Sequence, residues 1–186
     1  MNHAPHKGFT LVETMVAITI LAFAFVGPFT AVQTALTNSY VSRDQLTGAL
    51  LAQEGLEYIR SIRDNNYLAG RAWTDGFSGT ENNRNQCYGE NPSGYCTVDP
   101  TVGDFHNESD AMEGYSSGNT ENIAYLYLSS ANLYNQQGSG AETRFKRTVQ
   151  LQSISDTELL VTVVVSWQTG AGSYSVTVTD TLHDWL

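Results

Sequence analysis

The sequence predicts an α+β protein: one long N-terminal helix, transmembrane in its first half, packed against an antiparallel β-meander. Three observations carry that prediction. Residues 9–32, FTLVETMVAITILAFAFVGPFTAV, contain one charged side chain, Glu13, and exceed the roughly 20 residues a helix needs to cross a bilayer. Residues 43–64 repeat their apolar positions at helical spacing. Beyond Glu121 the spacing falls to two, the period of strands.

The chain has 186 residues, enough for one ordinary domain. Lys and Arg total 9 against 19 Asp and Glu, a formal charge of −10. Charged residues make up 15%, below the roughly 25% usual for a soluble domain. An acidic chain this poor in cations is a poor nucleic-acid binder, because phosphates need clustered Lys and Arg. The charge is also segregated. From Gly8 to Ser42 the only charged side chain is Glu13, whereas from Asn85 to Thr143 there are acids and no Lys or Arg. The two ends of the chain suit different solvents.

Residues 1–8, MNHAPHKG, form a short polar leader whose one charged side chain is Lys7. No small-x-small cleavage site with a fresh start follows the apolar run, so a conventional secretory signal does not fit. A cationic flank ahead of such a run favours a cytoplasmic N-terminus, with the remainder outside. Glu13 is the anomaly, since a carboxylate near the centre of a membrane helix costs about 2.5–3.5 kcal/mol. Two readings stand. Glu13 lies close enough to the helix start to reach the interface, or it has a cationic partner. No Lys or Arg within the segment can serve, but an α-amino group exposed by cleavage just before Phe9 would.

The run Lys7-Gly8-Phe9-Thr10-Leu11-Val12-Glu13 resembles the processing site of type IV prepilins and the related type II secretion pseudopilins. The resemblance implies a membrane-embedded prepilin peptidase that cuts between Gly8 and Phe9, followed by N-methylation of Phe9. Glu13 is then the fifth residue of the mature chain, where this family keeps a glutamate that meets the amino terminus of a neighbouring subunit. The physical fit is direct: two charges that are costly to bury singly become one neutralised pair. The implied partners are the peptidase/N-methyltransferase, other pilin or pseudopilin subunits, an inner-membrane assembly platform and the lipid bilayer. The implied location is a single pass through the inner membrane, then an extracellular or periplasmic filament.

Residues 9–32 are thus the transmembrane and assembly half of the helix, and 33–64 its amphipathic half. Gly27 and Pro28 interrupt the apolar run, and a proline that lacks its N–H predicts a kink or local melting. A static kink and a soft point that lets packed filaments stretch both remain open. Further on, Gly48, Leu51, Ala52, Gly55, Leu56, Ile59 and Ile62 share one face, while Leu46 and Leu50 point to the polar side. Glu57 and Arg60 are spaced for an i,i+3 pair. Asn65-Asn66 reads as the helix end. The stretch LAQEGLEYIRSIRDNNY is similar to the same region of minor pilins.

Residues 65–122 hold four aliphatic side chains, Leu68, Val98, Val102 and Met112, against eight Gly and nine Asn. Such a stretch cannot build a core, so it reads as a long irregular excursion anchored by Trp73 and Phe77. Cys87 and Cys96 flank a turn signal, Asn91-Pro92-Ser93-Gly94, and outside the cytoplasm they read as a disulfide. A metal site would need two more ligands than this pair supplies. Tyr88 and Tyr95 in that loop suit packing or an exposed contact. The acids from Asp99 to Glu113 fit a solvated loop better than a calcium site, since they miss the EF-hand pattern. His106 between Asp104 and Glu108, and the sequon Asn107-Glu108-Ser109, are weak signals.

Residues 123–186 read as the antiparallel sheet. Ile123, Tyr125 and Tyr127 alternate with Leu126 and Leu128; Phe145, Val149 and Leu151 with Thr148, Gln150 and Gln152. Val161, Val163, Val165 and Trp167 form a third run and Tyr174, Val176 and Val178 a fourth, joined through the Gly-rich hairpin QTGAGS. One apolar face of this meander suits the helix stripe. The cluster Arg144, Lys146 and Arg147 is expected to flank a strand. The ending VVVSWQTGAGSYSVTVTDTLHDW closely resembles the terminal strands of minor pilins and pseudopilins, which leaves the middle to carry what is individual here.

No Walker loop, H-E-x-x-H, G-x-S-x-G or Cys/His zinc cluster occurs, and no cofactor or metal is implied. The expectation is a non-enzymatic structural subunit, minor-pilin-like, of a type IV pilus. A pseudopilin of a type II secretion system shares every N-terminal feature. A membrane-tethered enzyme or receptor is the remote alternative.

Overall fold

In the computed structural model, residues 8–77, 86–102, 112–116, 124–136, 138–170 and 172–184 are described. Helix α1 runs Leu11–Leu68. Among the described residues eight strands follow: β1 (Tyr88–Gly89), β2 (Gly94–Val98), β3 (Met112–Ser116), β4 (Tyr125–Leu128), β5 (Tyr134–Asn135), β6 (Ala141–Ser155), β7 (Glu158–Thr169) and β8 (Gly172–His183). The chain divides into two units, 1–43 and 44–186, with α1 contributing to both.

The first unit contributes the apolar part of α1. Thr10 starts it: its Oγ1 accepts the backbone N–H of Glu13 at 3.2 Å, an N-cap that satisfies one of the helix's orphan donors. The hydroxyls of Thr14, Thr19, Thr30, Thr34 and Thr37 donate to carbonyls three or four residues back. These five hydroxyls thereby satisfy themselves on their own backbone, the arrangement an apolar solvent demands. Pro28 lies inside the helix, which continues through it, so the expected melting is not seen. By length and composition α1 is able to cross a membrane.

The second unit is built on β6, the longest strand. One edge of β6 pairs with β7, and β7 with β8, both antiparallel. The other edge is shared. Its first half pairs with β4, which continues to β5. Its second half pairs with β2, which continues to β3, and in parallel with the short β1. The β7–β8 hairpin turns after Thr169 at Gly170, whose φ of 61° is one that glycine adopts without strain. The antiparallel sheet matches expectation. The region 65–122 differs from it: β1, β2 and β3 all lie there. Val98, Met112, Phe77 and both cysteines are buried in the common core. These residues make no core of their own; they complete one edge of β6, where backbone pairing compensates for the scarcity of aliphatic side chains. Phe77 is fully buried and Trp73 packs against the core, as expected of anchors.

All seven predicted stripe residues of α1 are buried, and Leu46 and Leu50 are exposed. Two glycines set the close approach. A Cβ on Gly48 would come within 2.6 Å of the Trp167 ring, and one on Gly55 within 3.1 Å of the Arg147 side chain. The helix ends at Leu68 rather than at Asn65-Asn66. Asn66 is buried and its amide donates to the Trp73 and Asp75 carbonyls at 3.2 and 2.7 Å, tying the chain that leaves the helix back onto its last turn.

Candidate functional site

Gly8, Phe9 and Glu13 sit at the start of α1 and Gly27 and Pro28 within it, all in the first unit; Cys87 and Cys96 belong to the second. The described residues from Gly8 to Tyr40 are exposed throughout. A helix that is apolar on every side and buried against nothing in its own unit needs an apolar environment supplied from outside. Gly8 has no local reason to be glycine. Its φ is not positive, and a Cβ there would meet nothing within 4 Å. Phe9 is 83% exposed. Among the described residues the exposed Glu13 carboxylate forms no ion pair.

The second unit holds its polar groups in the opposite way. Arg147, fully buried, faces the core from the middle of β6. Its Nη1 donates to the Leu51 carbonyl (3.1 Å) and to Glu54 Oε2 (2.6 Å), its Nη2 to the Val98 carbonyl (2.8 Å), and its Nε to Gln136 Oε1 (3.4 Å). Burial pushes this guanidinium below its ordinary pKa and the Glu54 carboxylate opposes that fall. Gln136 fills the point on the β6 edge where β2 ends and β4 takes over. It receives the Val98 N–H and donates to the Ala124 and Arg147 carbonyls. Asp99 accepts the Gln136 N–H (2.8 Å) and two bonds from Thr101. That acid is therefore structural; Asp104, His106, Asn107, Glu108, Ser109 and Asp110 lie outside the described residues.

The expectation that Arg144, Lys146 and Arg147 flank a strand is corrected: all three lie within β6. The buried Asp44 accepts from Arg144 and from Thr169 Oγ1, each at 2.9 Å, which pins the helix to β6 and β7. Arg60 pairs with Glu57, as the spacing predicts, and also with Asp180 on β8 at 2.8 Å. The bond from Asp180, against some desolvation, raises the Arg60 pKa. Cys87 and Cys96 form the expected disulfide, with Cα atoms 5.3 Å apart and both residues buried. Gln150 and Gln152 on β6 donate to Pro92, Gly94 and Glu90 carbonyls inside the loop it closes. Tyr88 and Tyr95 are half-buried, and Tyr88 packs on the core. Among the described residues no group of His, Cys, Asp and Glu is arranged to hold a metal.

A long helix that starts apolar on every side, together with an antiparallel sheet bearing a disulfide, is the α+β architecture of pilin-like proteins. Residues 4–27 match the family described as the prokaryotic N-terminal methylation motif, the class of signal carried by type IV prepilin-like chains. The motif spans the Gly8-Phe9 junction, Glu13 and most of the apolar run. Neither the curated proteins nor the solved structures yield a match to this chain. The motif implies processing by a peptidase and assembly with other pilins, and with the apolar helix it fits an inner-membrane anchor.

Proposed function

We propose that this chain is a minor-pilin-like structural subunit of a type IV pilus and has no catalytic role. A prepilin peptidase cuts it between Gly8 and Phe9, and Phe9 is N-methylated. The precursor sits in the inner membrane with its short N-terminal leader cytoplasmic and residues 44–186 outside, and after cleavage the mature chain stays anchored by its apolar helix. It then joins the filament through the apolar helix. The observation that carries this reading is the methylation motif running without a break into a helix that exposes its apolar side chains on every face. The pairing of Glu13 with the new amino terminus of a neighbour follows from electrostatics: each charge is costly alone in an apolar medium and tolerable as a pair.

Mass spectrometry of the mature N-terminus tests this. N-methyl-Phe9 is expected, and Gly8→Leu should leave unprocessed precursor. Mature protein that retains Met1 would defeat the proposal. A pseudopilin of a secretion system would show the same N-terminus, so isolated pili from the native cell must also contain the protein.

A further inference from the structure

The sheet contains a fork. β6 pairs with β7 from Ser155 up to Lys146↔Ser166 and no further toward its own start, while β7 stays paired with β8 as far as Thr169↔Gly172. Across from β7, the pairing of β4 shifts between Tyr125↔Lys146 and Tyr127↔Glu142, so that β6 carries extra residues there. The start of β6 therefore leaves the end of β7 and opens a cleft of about 390 Å³. That lies within the roughly 300–1,000 Å³ of small-ligand sites.

The cleft is chemically uneven. The Lys146 ammonium lies over the Tyr125 ring, 4.5 Å from its centroid, and among the described residues pairs with no carboxylate. Its neighbour Arg144 is committed to Asp44. Ser166, Gln168, Ser173 and Glu142 add hydroxyl, amide and carboxylate groups to the walls. Trp167, also in the wall, is buried and turns the benzene edge of its ring toward Gly48.

We propose that this fork binds a carboxylated sugar, one pyranose ring bearing one carboxylate. Each part of such a ligand has a counterpart. Lys146 takes the carboxylate in a charge-assisted bond. The serines, Gln168 and Glu142 take the ring hydroxyls. Competing chemistries fit less well. A phosphate dianion needs a second uncommitted cation. A nucleobase needs an open aromatic slot, but the Trp167 ring is already packed by Phe145 and Tyr174, with centroids at 5.6 and 5.9 Å. A polyanion is repelled by a chain of charge −10. The site is independent of the filament reading.

Calorimetric titration of the full chain in detergent with glucuronate, glucose and acetate tests the proposal. Saturable glucuronate binding is expected, about tenfold or more tighter than either control. Lys146→Gln should remove that preference over glucose without altering the thermal melt. Methyl glucuronoside distinguishes the source: binding equal to the free acid indicates the end of a glycan, and weaker binding indicates the free sugar acid. Acetate or glucose binding as tightly as glucuronate, no saturation by glucuronate, or an unchanged preference in Lys146→Gln would each overturn the proposal.

Discussion

The described residues from Gly8 to Tyr40 expose the apolar side chains they have, whereas those from Asp44 to Asp184 bury a core around a fully buried arginine. In the first region polar groups are satisfied locally, by threonine hydroxyls on their own helix, and the one carboxylate has no ion-pair partner among the described residues. In the second, buried charges are paired across long sequence separations: Asp44 with Arg144, Glu54 with Arg147. Each region therefore depends on a different source of burial. The second carries its own solvent-excluding partners. The first has none in its own unit among the described residues, and its apolar surface fits a bilayer or neighbouring helices as the source.

The largest expected effect separates the two regions completely. Glu13→Ala should leave cleavage before Phe9 and the unfolding of residues 44–186 unchanged, yet abolish incorporation into filaments. Sheared filaments probed with antibody give the readout; wild-type incorporation of the mutant would sink the pairing of Glu13 with a neighbour's terminus. Arg147→Ala should do the reverse. Glu54 is partly exposed and is solvated once the guanidinium is gone, but the buried Val98 carbonyl loses its donor at about 1–3 kcal/mol, and the emptied volume adds a cavity cost of similar order. Denaturant unfolding of the full chain in detergent should report that loss, with N-terminal processing intact. A loss below about 1 kcal/mol would mean that water replaces the guanidinium without penalty.

Much of this arrangement was legible because it is periodic. The stripe from Gly48 to Ile62 follows from a local repeat of 3.6, and the β6–β7–β8 meander from a local repeat of two. The disulfide followed from two cysteines and a turn. What escaped was polar and non-local. Asp44 and Asn66 extend the same helix stripe by one turn at each end, and Arg147 occupies the core-facing step between Phe145 and Val149. The phase of each residue was therefore visible, but polarity argued for the surface, and the partners lie 100 and 93 residues away for Asp44 and Arg147. Strands β2 and β3 escaped for a related reason. Gly94-Tyr95-Cys96-Thr97-Val98 and Met112-Glu113-Gly114-Tyr115-Ser116 are poor in aliphatic residues, and what makes them strands is an available edge of β6, which no local window contains. At the N-terminus the opposite holds: the motif around Gly8–Glu13 is short, contiguous and tied to no tertiary contact among the described residues, so the motif itself is readable from sequence.

The smallest of the contrasts concerns the disulfide, and it sharpens what holds the second region together. Cys87 and Cys96 enclose a short loop, and closing a loop of this size stabilises by about 2–3 kcal/mol in the chain-entropy model. That contribution acts on the unfolded chain. In the folded chain the loop has a second set of ties, because Gln150 and Gln152 hold its carbonyls and the Leu151 N–H donates to the Cys87 carbonyl at 2.7 Å. The double change Cys87→Ser, Cys96→Ser should therefore lower stability by about 2–3 kcal/mol while leaving the β1–β6 and β2–β6 pairings protected from hydrogen exchange under native conditions. Cleavage at Gly8-Phe9 should be untouched. If exchange along 87–98 instead rises to that of a free chain, the disulfide is what creates the strand edge, and the glutamines merely follow it.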